Sequence, residues 1–397
     1  MRKTAIRTIR YIVLLSVSMQ VWGQPGVMHR DSLLRVVEEK SPVLEASRRQ
    51  LESSRLEAGT GITPDNPEVE FGYMAGNPSA IGNRFDFSVS QHFEFPTAYL
   101  RMADAKEIRQ EQAGQIYEIV RQSVLTEARK LVIQRIYLNK LEQLLVRRLE
   151  QSARLKDQYS RMLETGEVGK LSLNQVNLQL SVLRAELEEV RSDVRVNLEQ
   201  TRELTGGEAF RITAMEYPMV WFPERDSLEN AWRSSPEYEW YASHIALKKK
   251  QKQVTVSKAL PDFTAGYYSE TVIDEGFRGV SLGISIPLWA DKNKVKHAQA
   301  EISLAEAEEA SFHTRMEIEL NNRLERRNSL LERIGELEQV LSEANDEALL
   351  GLALELEEIS LSEYIYATEF YLQNVRRLME YERDLKLVEA ELMKAFL

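Results

Sequence analysis

Two short stretches of this chain alternate strictly between apolar and polar residues, and each is followed by a far longer stretch with helical spacing. In the first, Val69, Phe71, Tyr73 and Ala75 share one face, with Glu68, Glu70 and Met74 opposite. Its partner sets Phe85, Phe87, Val89, Phe93 and Phe95 against Asp86, Ser88, Ser90, His92 and Glu94. The second repeats the scheme with Phe263, Ala265 and Tyr267, then Val280, Leu282, Ile284 and Ile286 against Ser281, Gly283 and Ser285. A period of two predicts β-strands with unlike faces, paired as hairpins over 67–95 and 261–287. The Pro, Gly and Tyr of Pro67-Glu68-Val69-Glu70-Phe71-Gly72-Tyr73 recur in Pro261-Asp262-Phe263-Thr264-Ala265-Gly266-Tyr267 at a constant offset of 194 residues. Nearly half the chain separates the two copies, which marks a tandem duplication.

After each hairpin the helix breakers almost vanish. Residues 97–163 hold no Pro and one Gly (Gly114), and residues 291–356 hold no Pro and two Gly (Gly335 and Gly351). A helix of that length runs to roughly 100 Å at 1.5 Å per residue, too long for a compact core and suited to a coiled coil. Each long helix meets an interruption, at Glu164 to Lys170 in the first half and around Glu357-Glu358-Ile359-Ser360 in the second. The chain then returns. Over 171–204, Val176, Leu180, Leu183, Leu187, Val190 and Val194 recur at steps of 4, 3, 4, 3 and 4, the heptad seam of a helix lying on its partner. A return over 361–395 carries Leu361, Tyr364, Tyr371, Val375, Leu378 and Leu385 on one stripe. Stacked end to end, the return 171–204 and the following helix 237–258 are expected to match the long helix, with 205–236 as a bulging connection; helix 31–60 plays the same part in the first half, with 361–395 as the return in the second.

The domain plan is a first repeat over 24–204, a connection over 205–236, and a second repeat over 237–397. The connection holds Gly206, Gly207, Pro218, Pro223 and Pro236 with Trp221 and Trp232, and reads as a small mixed belt at mid-height whose aromatics pack. The fold class is mainly α with a small β part.

Strands of about ten residues with one apolar face fit a tilted crossing of a bilayer. The rival is a soluble sandwich, which lacks a second sheet to cover that face. Four strands cannot close a barrel, since about eight is the minimum, and an open edge in lipid leaves backbone groups unpaired. Strands that span a membrane here must therefore come from several chains sharing one barrel.

Composition adds three bounds. Arg2, Lys3, Arg7 and Arg10 precede the apolar run Tyr11 to Val17, with Val21-Trp22-Gly23 as a cleavage site, so residues 1–23 read as a secretory signal. Its removal takes four positive charges from a chain of formal net charge −11, leaving about −15, which disfavours nucleic acid as a partner. The chain has no cysteine, so neither disulfides nor a lipidated N-terminal Cys is available. Nothing resembles a nucleophile elbow, phosphate loop or zinc spacing. The histidines His29, His92, His244, His297 and His313 are scattered. No catalytic, cofactor or metal site is expected.

In this order of elements, the chain resembles the TolC-like outer membrane efflux proteins over essentially all its mature length. The resemblance is carried by the doubled Pro-x-x-x-x-Gly-Tyr strand start, by Tyr159…Gly166…Leu171-Ser172-Leu173 at the tip, and by Leu204-Thr205-Gly206 closing the return helix. It implies a homotrimer in outer membrane lipid, with four strands per chain in a 12-stranded barrel above a long periplasmic coiled-coil tunnel. It also implies a periplasmic adaptor, or membrane fusion, protein at the tunnel tips and an inner-membrane pump of the RND type, the channel itself being passive. The adaptor-facing positions map onto Gly166, Val168, Gly169, Leu171, Ser172 and Leu173, and onto Ile359, Ser360 and Leu361. Glu358 stands where the family commonly has Gly. Under threefold symmetry, Glu357, Glu358 and Glu363 would ring the aperture with acid, against the alternative of an ordinary solvated helix end. The stretch Val89 to Pro96 resembles the heavy-metal efflux branch (CzcC and CusC type), so the cargo is expected to be small molecules or metal cations. The other class in play is a soluble periplasmic coiled-coil scaffold or adaptor.

Overall fold

The computed structural model describes residues 30–397 apart from 219–220, 274, 290 and 344–346. The secretory signal read over 1–23 lies outside the described residues. Four strands form one antiparallel sheet in the order β1 (Glu68–Met74), β2 (Arg84–Phe93), β3 (Asp262–Val272), β4 (Glu275–Ser285). The central pairing, β2 with β3, joins the two repeats, with Phe93 opposite Phe263 and Val89 opposite Tyr267. β1 is seven residues long, shorter than the ten expected. Phe95, expected on the β2 face, lies past the strand as the N-cap of the next helix, where Pro96 opens the first turn without forfeiting an intrahelical bond.

The helices are α1 (Arg30–Lys40), α2 (Pro42–Glu57), α3 (Pro96–Thr165), α4 (Lys170–Leu204), α5 (Arg225–Arg233), α6 (Pro236–Lys258), α7 (Lys294–Glu343), α8 (Glu347–Glu355) and α9 (Leu361–Leu392). The single helix expected over 31–60 is two. Pro42 has no amide to continue the ladder and pushes Ser41 out of the helical region, to ψ 123°. Of the helix expected over 291–356, the described residues show α7 and α8 on either side of 344–346.

Helix packing follows the sheet. Below the strands, α2 lies on α3, α3 on α6 and α6 on α7; farther down, α4 lies on α3, α3 on α9 and α9 on α7. The chain is thus a wall four elements wide, with α3 and α7 running down it and α2/α4 and α6/α9 stacked end to end between sheet and tip. Helix α4 stacks on α2 and not, as expected, on α6, which lies on the other side of α3.

Four apolar clusters hold the wall. The expected heptad positions Leu183, Leu187 and Val190 of α4 meet Tyr137, Leu138 and Leu145 of α3. At the tip, Tyr159, Val176 and Leu180 enclose Leu361 from the other repeat. Two more clusters lie at mid-height. Leu33, Val37 and Leu44 pack with Val132, Ile136, Phe210 and Ile212, while Leu228 and Trp232 of α5 pack with Leu320, Leu385 and Leu392. The Trp232 indole donates to the Leu392 carbonyl at 3.0 Å. Trp221, expected to pack like Trp232, is instead exposed.

Candidate functional site

The sheet keeps its two faces distinct because the register never slips. Val69 faces Val89, Phe71 faces Phe87 and Tyr73 faces Phe85, while Tyr267 faces Val280, Ala265 faces Leu282 and Phe263 faces Ile284. Aromatic rings from neighbouring strands meet across this face, Phe71 and Phe87 at 4.9 Å and Tyr73 and Phe85 at 5.1 Å, distances at which such pairs attract. Nothing among the described residues covers them. Phe71 is 78% exposed, Val280 86% and Leu282 87%, so the apolar face is a continuous uncovered band, far beyond the scattered apolar residues of an ordinary surface.

Apart from Met74, Val272 and Phe277 toward the loops, the opposite face is small or polar, with Gly72, Ser88, Ser90, Thr264, Gly266, Ser281, Gly283 and Ser285. At its loop-proximal end, Arg84 reaches Asp86 at 2.9 Å and Glu270 at 3.2 Å, and its guanidinium also donates to the Tyr268 hydroxyl at 2.9 Å. This network ties the hairpins together on the wet side, and no spacing in the sequence announced it, because its members come from strands about 180 residues apart. Among the described residues, the outer edges of β1 and β4 have no partner strand.

The two tips differ. In the first, Gly166 takes the left-handed conformation at φ 81° and its amide meets the Leu163 carbonyl, a glycine ending of the usual kind. Gly169 is the N-cap of α4. Gly166, Gly169 and Leu171 are exposed, Val168 and Leu173 lean on the tip cluster, and Ser172 is half-buried. In the second tip the left-handed residue is Glu357, at φ 56°. Glu358, placed by the sequence where a glycine is common, is the next residue along. Ile359 is half-buried and Ser360 caps α9. Leu361 is buried in the first repeat's tip cluster, so this expected docking residue holds the two hairpins together.

Glu357 and Glu358 are exposed. Glu363 is turned back on its own helix, where its carboxylate accepts from the Ser360 amide at 2.8 Å and the Ser360 hydroxyl at 2.7 Å, while the Ser360 oxygen accepts from the Glu363 amide. That capping box lowers the Glu363 carboxyl below its ordinary value, the Ser360 backbone bond being the main cause. The Gln175 amide also donates to Ser362 at 3.1 Å, and Arg376 pairs with Glu186 farther up. The tips of the two hairpins therefore stand side by side. Among the described residues, no helix is long and apolar enough to cross a membrane.

No family model matches the chain, and no curated protein matches it. Solved structures do match. The CmeC outer membrane channel of Campylobacter jejuni superposes with a TM-score of 0.77 at 13% identity, covering 100% of this chain and 94% of that one. The outer membrane protein VceC of Vibrio cholerae gives 0.76 at 15% identity, covering 92% of this chain and 95% of that one. CusC, described by its transmembrane channel formation, gives 0.72 at 14% identity, covering 92% of this chain and 91% of that one. The chain has the fold of these outer membrane channels, from strands to tips.

Proposed function

We propose that this protein is the outer membrane channel of a tripartite export system: a passive duct that receives small molecules or metal cations from an adaptor and an inner-membrane pump. One observation carries the reading. The sheet has a bare apolar face, a polar face behind it and two open edges, and it sits at one end of helices too long for a compact core. Lipid satisfies the apolar face. The edges call for further strands, because unpaired backbone in hydrocarbon is costly. Three copies supply twelve strands, enough to enclose water. The helical part then lies in the periplasm, with the tips toward the adaptor, and the RND class of pump suits such an assembly. Shared fold with CmeC, VceC and CusC supports the same reading.

The test is extraction and conductance. Mature protein expressed with its signal is expected in the outer membrane, soluble only in detergent, migrating as a trimer, and opening ion-conducting pores in planar bilayers. A monomer released by osmotic shock without detergent would favour the soluble periplasmic scaffold instead.

A further inference from the structure

At mid-height a cavity of about 410 Å³ opens where α3, α6, α7 and α9 come together, with α5 closing one side. Sites for small molecules run from roughly 300 to 1,000 Å³, so its size suits one. It marks a joint of the wall, where the head of α6 meets the end of α9. The Trp232 indole bonds the Leu392 carbonyl at 3.0 Å there, and Lys394 pairs with Glu237 at 2.7 Å.

Two polar side chains on the cavity wall have no partner among the described residues. Gln122 of α3 is 7% exposed, and the bond it receives, from Thr126, goes to its backbone carbonyl and not to its amide group. Ser235, the N-cap of α6, is 8% exposed and makes no capping bond with its hydroxyl. Buried polar groups are nearly always paired, so both point to an occupant of the cavity. The rest of the wall says what kind. Trp240, Tyr241 and Phe312 line it as a fixed set of rings, with centroids 5.0 Å apart for the first pair and 4.3 Å for the second. Water against such rings is poorly bonded, and an apolar body that displaces it gains affinity.

Charge narrows the choice. Every carboxylate on the wall is held by a cation: Glu237 by Lys394, and Glu319 and Glu391 by Arg323 at 2.5 and 3.2 Å. Arg315, on the same wall, lies over the Phe312 ring and enters no ion pair among the described residues. The head of α6 adds partial positive charge, since its ladder begins only with the Glu239 amide on the Ser235 carbonyl. The uncompensated charge is therefore positive. We propose that this cavity binds a flat aromatic molecule bearing an acid group, its rings against Trp240, Tyr241 and Phe312 and its acid toward Arg315 and the head of α6. Bound there, such a molecule braces the joint between α6 and α9. The site lies within one chain and does not depend on copies closing a ring.

Titration calorimetry of the whole protein in detergent, with protein-free micelles as the blank, tests this with 2-naphthoate as the probe. Saturable binding of one molecule per chain is expected. Cyclohexanecarboxylate, which lacks the rings, and 2-naphthylmethylammonium, which reverses the charge, should each bind about tenfold more weakly or worse. Arg315→Gln, at an exposed residue, should weaken 2-naphthoate about tenfold by removing a charge-assisted contact. Gln122→Leu should weaken it by a similar factor and yet melt no lower than the parent without ligand, because an apolar group replaces an unpaired buried amide. A role for Gln122 in packing alone would give the reverse, a lower melting temperature with binding unchanged. No saturation above the micelle blank overturns the proposal. So does equal affinity for the cationic probe, or affinity for 2-naphthoate that neither variant alters.

Discussion

Glu357 holds in the second tip the backbone place that Gly166 holds in the first. Each amide meets a carbonyl three residues back, Leu163 or Leu354, at 3.2 Å, and each following amide meets Met162 or Ala353 at 2.9 Å. The turns are the same; the residue is not. A side chain at positive φ costs roughly 1–2 kcal/mol, offset in part by the larger freedom glycine has when unfolded. Glu357→Gly is therefore expected to stabilise the helical part by about 1 kcal/mol, and Gly166→Ala to destabilise it by a similar amount. Thermal melts of the detergent-solubilised protein, followed by far-ultraviolet circular dichroism, check this. Equal melting temperatures for Glu357→Gly and the parent would reject the assignment of strain.

That equivalence also shows what the sequence made legible. Strand faces, long helices and the heptad seam of α4 could be read directly, because each is a periodic pattern repeated over many residues. The tips could be placed but not aligned. Gly166 announces a left-handed turn, whereas nothing in Glu357-Glu358 says which of the two adopts it. Hydrogen bonds to Leu354 and Ala353 decide that. The burial of Leu361 and the turning of Glu363 onto Ser360 were likewise hidden, since both depend on a neighbouring hairpin or cap and not on spacing.

The Ser360 and Glu363 pair makes α9 sensitive to acid. The folded carboxyl titrates below its unfolded value, so its contribution is fully present above the ordinary glutamate range, near pH 4.3. It is lost as pH falls through the lower, folded value. Glu363→Gln keeps a capping group without a titration and is expected to flatten this part of the stability profile between pH 5 and pH 3, limits set by about one unit around that range. Ser360→Ala removes the cap at every pH, at a cost of about 1 kcal/mol. Denaturant titrations at several pH values separate the two; a parallel acid limb in Glu363→Gln and parent would place the titration elsewhere.

Leu282 and Ser281 are neighbours on opposite faces of β4, and they should respond oppositely to charge. Leu282→Arg puts a cation on the bare apolar band, which costs about 2–4 kcal/mol at the middle of a bilayer. Less heat-stable oligomer in the outer membrane is the expected result. Ser281→Arg points into the polar side and should assemble near the parental level. Blots of unheated membranes show both. Equal tolerance of the two substitutions would mean that this face does not meet lipid.

Glu357 and Glu358 remain the acids free to face an aperture, since the Glu363 carboxylate is taken up by Ser360. Three copies would place six carboxylates around the tip, and such a ring attracts cations and repels anions. Replacing both by glutamine should shift the reversal potential under a salt gradient toward zero, most strongly at low ionic strength where screening is weak. Glu363→Gln should leave it unchanged. The comparison separates a ring from a general acidity of the tip, because both variants lower the local charge while only the double variant removes carboxylates that are not held by their own helix. Unchanged selectivity in the double variant would return these residues to the role of a solvated helix end.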